Sequence, residues 1–252
     1  AELQRSNEEI RQFAYIVSHD LRAPLVNLQG FSAELASGVK TVRSVMEPCL
    51  SHLEEEQRTE LVCVVEEDIP EALGFIRSSV RRMDGFIGAI LKLSRLGRRE
   101  LELEPLDVEA IVHGTRHQPI TRIEQGGVSV MVGSLPQVVA DRVSMEQIMG
   151  NLLTNAVLYL DPERPGTIEV TAEWRGEETV FHVRDNGRGI AEGDMSKVFA
   201  PFRRAGKQDV KGEGMGLPYV QALVRRHGGR IWFESELGVG TSFFFTIPHQ
   251  LA

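Results

Sequence analysis

The sequence predicts two architectures in one chain: a helical hairpin suited to pairing with a second copy as a four-helix bundle, then a two-layer α/β sandwich. Two observations carry this. Apolar residues recur about every 3.5 positions through the first hundred residues, the period of a helix-bundle seam. Beyond residue 105 short apolar runs alternate with helical segments, the pattern of a sheet covered by helices. With 252 residues there is room for both.

The first seam runs Ile10, Ala14, Val17, Leu21, Pro24, Leu28, Phe31, Leu35, with Leu3 one heptad earlier. The second runs Ile69, Leu73, Ile76, Val80, Met83, Ile87, Ile90, Ser94. Two helices alone cannot bury both, so a second copy is expected. If Ser94 lies opposite Phe13, residue 37 lies opposite residue 70, and residues 38–68 form an insertion that projects beyond the tip or folds back. Pro48 interrupts any helix there. Asp68 and Pro70 can cap and open a new helix, or Pro70 can kink a continuous one. Cys49 and Cys63 are expected to be buried, inert thiols.

Residues 101–105 read as a linker, which divides the chain into residues 1–103 and 104–252. Strands are expected at residues 128–132, 167–174 and 179–185, and a hairpin at 230–235 and 241–247. Helices are expected at 144–160, opened by Ser144, and at 217–227, stopped by Gly228-Gly229.

Composition excludes several classes. The charge of −8 argues against bulk binding to nucleic acid or anionic lipid. Two cysteines cannot make a disulfide framework or a four-cysteine zinc site. Without an apolar run of about 18–20 residues or a signal-peptide profile, the chain is expected in the cytoplasm, with no membrane contact of its own.

Several motifs carry chemistry. His19 lies opposite the apolar seam, where a histidine is ordinarily a surface residue. Its neighbourhood is unusual, because Pro24 inside a helical seam costs about 3 kcal/mol. Asn151 and Asn155 are four apart on one helix face, and an amide oxygen suits Mg²⁺; such a pair also serves as a structural cap. Arg184-Asp185-Asn186-Gly187-Arg188-Gly189-Ile190 follows a strand, where a ligand can approach the glycines closely or the chain can simply turn. Gly212-Glu213-Gly214-Met215-Gly216-Leu217 opens a helix and offers amides to phosphate, or is a flexible loop. Between these boxes lie Phe199, Phe202, Arg203, Arg204, Lys207 and Lys211, and near the end lies Gly238-Val239-Gly240-Thr241.

Ser18-His19-Asp20-Leu21-Arg22-Ala23-Pro24-Leu25 resembles the phospho-acceptor box of two-component sensor histidine kinases, and the later boxes match that family's nucleotide site in order. The resemblance covers nearly the whole chain. It implies a HisKA-type hairpin, which dimerises and accepts phosphate, and a GHKL-type ATP-binding fold shared with gyrase, Hsp90 and MutL. In that family the histidine attacks the γ-phosphate of ATP. His19 is then the nucleophile and Asp20 its general base. Asn151, Asn155 and Tyr159 would face the nucleotide, with Asn155 holding Mg²⁺. Asp185 would accept from the adenine amine, beside Gly187, Gly189, Ile190 and Thr241. Phe199, Arg204 and Lys207 would belong to a mobile lid, and Gly212, Gly214, Gly216 and Leu217 to the phosphate-binding loop. A response-regulator receiver domain would take the phosphoryl group, and an upstream sensor would drive the hairpin through the heptads before Val17.

Two departures qualify this. Leu158 stands where relatives usually carry lysine, which removes a cation near the triphosphate and leaves two other readings: a pseudokinase scaffold, or a GHKL-type ATPase that clamps or remodels. Ala23 stands where many relatives carry Thr or Asn that assists dephosphorylation of the regulator. Little or no phosphatase activity is expected; a fast, kinase-stimulated loss of phosphate from a labelled regulator would contradict this.

Overall fold

The structure, a computed structural model, describes residues 2–96, 100–115, 128–203 and 214–249. Residues 1–95 form one compact unit and residues 96–252 another. Among the described residues no helix is long and apolar enough to cross a membrane.

Apart from the extended pair Leu53-Glu54, the described residues of the first unit are helical. Helix α1 (Glu2–Met46) runs through Pro24 without a break. A 3₁₀ turn at Glu47–His52 takes Pro48 in its first turn, and α2 (Glu55–Cys63) starts the return. A π-helical segment, Val64–Asp68, joins it directly to α3 (Ile69–Leu96). Of the two openings proposed for the second helix, the continuous one is observed. Asp68 is not a cap, and the wide π turn lies just before Pro70, which has no N–H to offer the turn before it.

The register agrees with expectation to about two residues. Arg77 Nη2 donates to Ser32 O at 3.2 Å, and Arg43 Nε lies 3.2 Å from Glu66 Oε1. The second pair lies inside the insertion, so α1 and the returning strand of helix stay side by side there and the insertion projects in line. Cys49 and Cys63 are both exposed, contrary to expectation, because the insertion has only one apolar partner helix and buries little. The carboxylate of Asp68 acts first, then loss of solvent and Glu67, to hold the Cys63 thiol above its ordinary value, so it is a poor nucleophile.

The seams divide in an unexpected way. On α3 every seventh residue is buried: Leu73, Val80, Ile87 and Ser94. On α1 the inward line is Ser18, Leu25 and Ser32, one position away from the apolar stripe. The stripe itself faces out, with Phe31 62% and Leu35 60% exposed. Ile76 and Met83 on α3 are exposed too. A heptad pattern fixes that a seam exists but not which chain fills it.

The second unit is a five-stranded sheet with helices on one face. The strands are β2 (Ser129–Val132), β4 (Thr167–Arg175), β5 (Glu178–Asp185), β7 (Gly240–Pro248) and β6 (Ile231–Glu236), in that spatial order. Among the described strands, the β2–β4 pair alone is parallel. Alternate residues Ile168, Val170, Phe181, Val183, Phe243 and Phe245 point into a core completed by α4 (Val108–Thr115), α5 (Arg142–Leu158) and α6 (Gly216–Arg226). Phe181 and Phe245 stack there at 4.9 Å.

Two local readings are corrected. Residues 101–105 are not only a linker, since β1 (Leu103–Leu106) pairs antiparallel with β3 (Val138–Asp141). Such short strands, one holding Pro105, carry too little alternation to be seen. Helix α5 is opened by Asp141 rather than Ser144: Asp141 Oδ1 accepts from Ser144 N–H at 2.8 Å. Asp141 is itself fixed by buried His227, whose Nε2 accepts from its N–H at 3.2 Å while Nδ1–H donates to Leu223 O at 2.8 Å. The α6 terminus thereby sets where α5 begins.

Candidate functional site

Four of the sequence boxes meet at one end of the second unit. Helix α5 supplies the first. Asn151 Nδ2 donates to Gln147 O at 2.7 Å, one turn earlier, which turns its carbonyl oxygen toward the α6 N-terminus. A Cβ added to Gly216 would lie 3.0 Å from that oxygen. Tyr219 O–H donates to Gln147 Oε1 at 2.6 Å and ties α6 to α5. Asn155 follows on the same helix and Tyr159 caps its C-terminus, both half-buried, and the Arg188 guanidinium lies over the Tyr159 ring at 5.6 Å.

Strand β5 delivers Asp185. Its side chain accepts from Gly187 N–H at 2.8 Å and from the Thr241 amide, which faces it across β7. Burial raises its pKa from 3.8 to about 6; the Gly187 and Thr241 amides and Arg164 oppose the rise. A carboxylate poised this way is a buried acceptor held ready for a donor.

The glycines are needed for contact. At Gly187 any Cβ would overlap Tyr159 O, which also accepts from Arg188 N–H at 2.9 Å. Gly189 has φ +67 and lies against the Glu236 carbonyl. Ile190 packs on the core, and its N–H donates to Ser235 Oγ at 2.9 Å. Ser235 in turn donates to Gly240 O at 3.0 Å and lies 2.9 Å from Thr241 Oγ1. The β6–β7 hairpin is thus pinned beside Asp185.

The last box is seen only at its edges. Phe199 is half-buried, packs on the core and meets Phe233 edge-on at 5.8 Å. Phe202 adopts φ 62, and its N–H donates to Gly214 O at 3.2 Å. Gly214 and Gly216 lead into α6, and Leu217 packs on the core. Arg204, Lys207, Lys211 and Gly212 lie outside the described residues. Leu158 ends α5 half-buried, with no charge to give.

His19 and Asp20 belong to the helical unit, in the turn of α1 just before Pro24. Asp20 is exposed, and the His19 side chain lies outside what the structure describes. Among the described residues no group of three His, Cys, Asp or Glu side chains could hold a metal. Sequence reading missed Arg164 and Ser235, whose links to Gly187, Val239 and Ile190 span 23 to 75 residues and leave no local signal. Asn186 lies within the Asp185 box, but local sequence assigns its side chain no role.

The comparisons agree with this geometry. Residues 140–251 match the family described as histidine kinase-, DNA gyrase B- and HSP90-like ATPase. Over 248 residues, 98% of this chain, the sequence is 36% identical to the methanogenesis regulatory histidine kinase FilI of Methanothrix harundinacea, covering 25% of that protein. It is 30% identical to the adaptive-response sensory kinase SasA of Synechococcus elongatus, covering 98% of this chain and 61% of that one. The crystal structure of full-length ShkA in complex with AMPPNP superposes with a TM-score of 0.61 at 25% identity, over 96% of this chain and 46% of that one. The chain spans about a quarter to a third of the length of FilI and the phytochrome-like protein Cph1 of Synechocystis, which it also matches. With an ATPase family model matching its second unit and named histidine kinases matching 98% of its length, the chain belongs to the sensor histidine kinases and corresponds to their catalytic core.

Proposed function

We propose that the chain is an ATP-dependent, autophosphorylating protein histidine kinase whose phosphoryl group passes to an aspartate of a response-regulator receiver domain. The observation that carries this is the buried Asp185, which accepts from the Gly187 and Thr241 amides at the strand ends where the glycine boxes gather. Asp185 accepts from the adenine amine. The amides at the start of α6 and the carbonyl of Asn151 flank the phosphates, with the helix N-terminus favouring their charge. The donor set fits Mg²⁺ only weakly by itself, so Asn155 would supply one amide oxygen and the phosphates most of the rest. Mg²⁺, when bound, neutralises charge on those phosphates.

The acceptor step is nucleophilic. A neutral ring nitrogen of His19 forms the N–P bond as the bond from the γ-phosphorus to the β,γ-bridging oxygen breaks and ADP leaves. The proton on the other ring nitrogen is held or taken by Asp20. The phosphohistidine then gives its phosphoryl group to the regulator's aspartate. Incubation with γ-labelled ATP should yield protein label that is acid-labile and alkali-stable; absence of such label overturns the assignment.

The exposed seam of α1 supports a homodimer through the hairpin, and the greater length of the relatives supports an upstream sensor, with the core in the cytoplasm. Replacing Phe31 with Glu puts a charge in each half of that seam. Dimerisation should weaken at least about 100-fold, since burying each Phe is worth roughly 1.5–3 kcal/mol. Analytical ultracentrifugation reads this; a Phe31→Glu chain as dimeric as the parent would refute the seam.

A further inference from the structure

The turn after α5 is fastened to the glycine-rich loop by side chains that no motif names. Asp161 Oδ1 accepts from Glu163 N–H at 3.0 Å, and Arg164 N–H reaches Asp161 O at 3.4 Å. This turn fixes the backbone of Arg164. The Arg164 side chain then crosses to the pocket. Its Nη2 donates to Gly187 O at 2.6 Å and to Val239 O at 3.3 Å. One nitrogen therefore joins three segments: the turn after α5, the loop after β5 and the tip of the β6–β7 hairpin.

The consequence for the site is specific. The peptide between Gly187 and Arg188 is held at both ends, its carbonyl by Arg164 and its N–H by Tyr159 O at 2.9 Å. With that peptide fixed, the preceding N–H, that of Gly187, stays aimed at Asp185. Asn186 fixes the other side. Its Nδ2 donates to Pro165 O at 2.9 Å, its Oδ1 accepts from Thr167 N–H at 2.7 Å, and its backbone N–H donates to Thr167 O at 3.1 Å. Arg164 also carries the positive charge that helps hold Asp185 down; the other groups that do so are the two amides. Charged side chains beside this cluster, among the described residues, include Asp161, 3.8 Å from Arg164 Nε, and Arg188 over Tyr159.

We infer that Arg164 is a positioning residue of the nucleotide site, one that sets the Gly187–Arg188 peptide and the Val239 hairpin tip before nucleotide arrives. This rests on the reading of that pocket as an ATP site. A loop residue left to order on binding costs roughly a factor of five to thirty in affinity, which is what a preset loop avoids.

The test is calorimetric titration of the full chain with ATP and Mg²⁺ between pH 5 and 8, for the parent, Arg164→Ala and Arg164→Lys. Arg164→Ala should bind about tenfold more weakly, the loss expected of a charge-assisted hydrogen bond. Its binding should also switch on at a higher pH than the parent's. Arg164→Lys keeps the charge and should restore the pH midpoint, but only part of the affinity, because an ammonium cannot reproduce the planar fork. Parent-like affinity in either variant overturns the inference, and so does weaker binding by Arg164→Ala at an unmoved midpoint. If Arg164→Ala does not fold, the affinity of Arg164→Lys decides alone. A parent chain that binds no ATP defeats the nucleotide reading itself, a result distinct from those.

Discussion

His19→Ala should abolish the acid-labile, alkali-stable label completely while leaving nucleotide affinity unchanged. The two effects separate because the two groups lie on different compact units, each with its own buried residues. Alanine is a strong helix former, so α1 loses nothing in propensity. The reactive nitrogen is simply absent, and no neighbour in the box can replace it: Ser18 is turned inward and buried, and Ala23 has no nucleophile. The measurement is phosphoryl incorporation from γ-labelled ATP, with parallel calorimetry for ATP binding. Label that survives the substitution sinks the assignment of His19.

Asp185→Asn should cost at least about 100-fold in ATP affinity, as expected when a charged acceptor in a buried site is removed. It should also remove the pH dependence near 6. The free carboxyl is raised to about 6, first by burial. As pH falls through that value it takes up a proton and can no longer accept fully from the adenine amine, so parent binding should weaken below about pH 6 and be flat above about pH 7. The stability sign is opposite. A folded-state pKa above the unfolded value means stabilisation that is complete below about 3.8 and lost as pH rises through about 6. Ionised Asp185 therefore costs the free protein roughly 3 kcal/mol at neutral pH. Asparagine removes that cost but leaves one of the two amide donors poorly satisfied, so the free variant should melt no lower than the parent at pH 8 while binding far less. Titration and thermal melts across pH check both; equal affinity, or a midpoint near 6 that persists in Asp185→Asn, would contradict the role.

How much was legible in the sequence depended on the range of the interaction. The asparagine pair, the Asp185 loop and the helix at Gly216 are local patterns, and the fold brings them together with Thr241. Asp185 and Thr241 meet because they are register partners at the ends of two neighbouring strands. What local pattern cannot carry is pairing at a distance. The β1–β3 ribbon joins segments more than thirty residues apart, and Arg164 reaches Val239. Facing is also lost. Periodicity found the stripe of α1 but not that Ser18, Leu25 and Ser32 are the line turned toward α3. The cap of α5 was misplaced by three residues for a similar reason, since both Asp141 and Ser144 are good caps by type and only the hydrogen bond separates them.

In the proposed homodimer, that outward stripe makes the folding of the helical unit a matter of mass action. The α/β unit has a closed core of its own and should melt at a temperature indifferent to dilution. The hairpin buries a thin, partly serine-lined seam within one chain and leaves Phe31 and Leu35 to water until a second chain covers them. Each tenfold dilution then withdraws about 1.4 kcal/mol of its stability. For such a dimer, the abundance of the protein is one of the variables that decide whether His19 is held in an ordered helix at all.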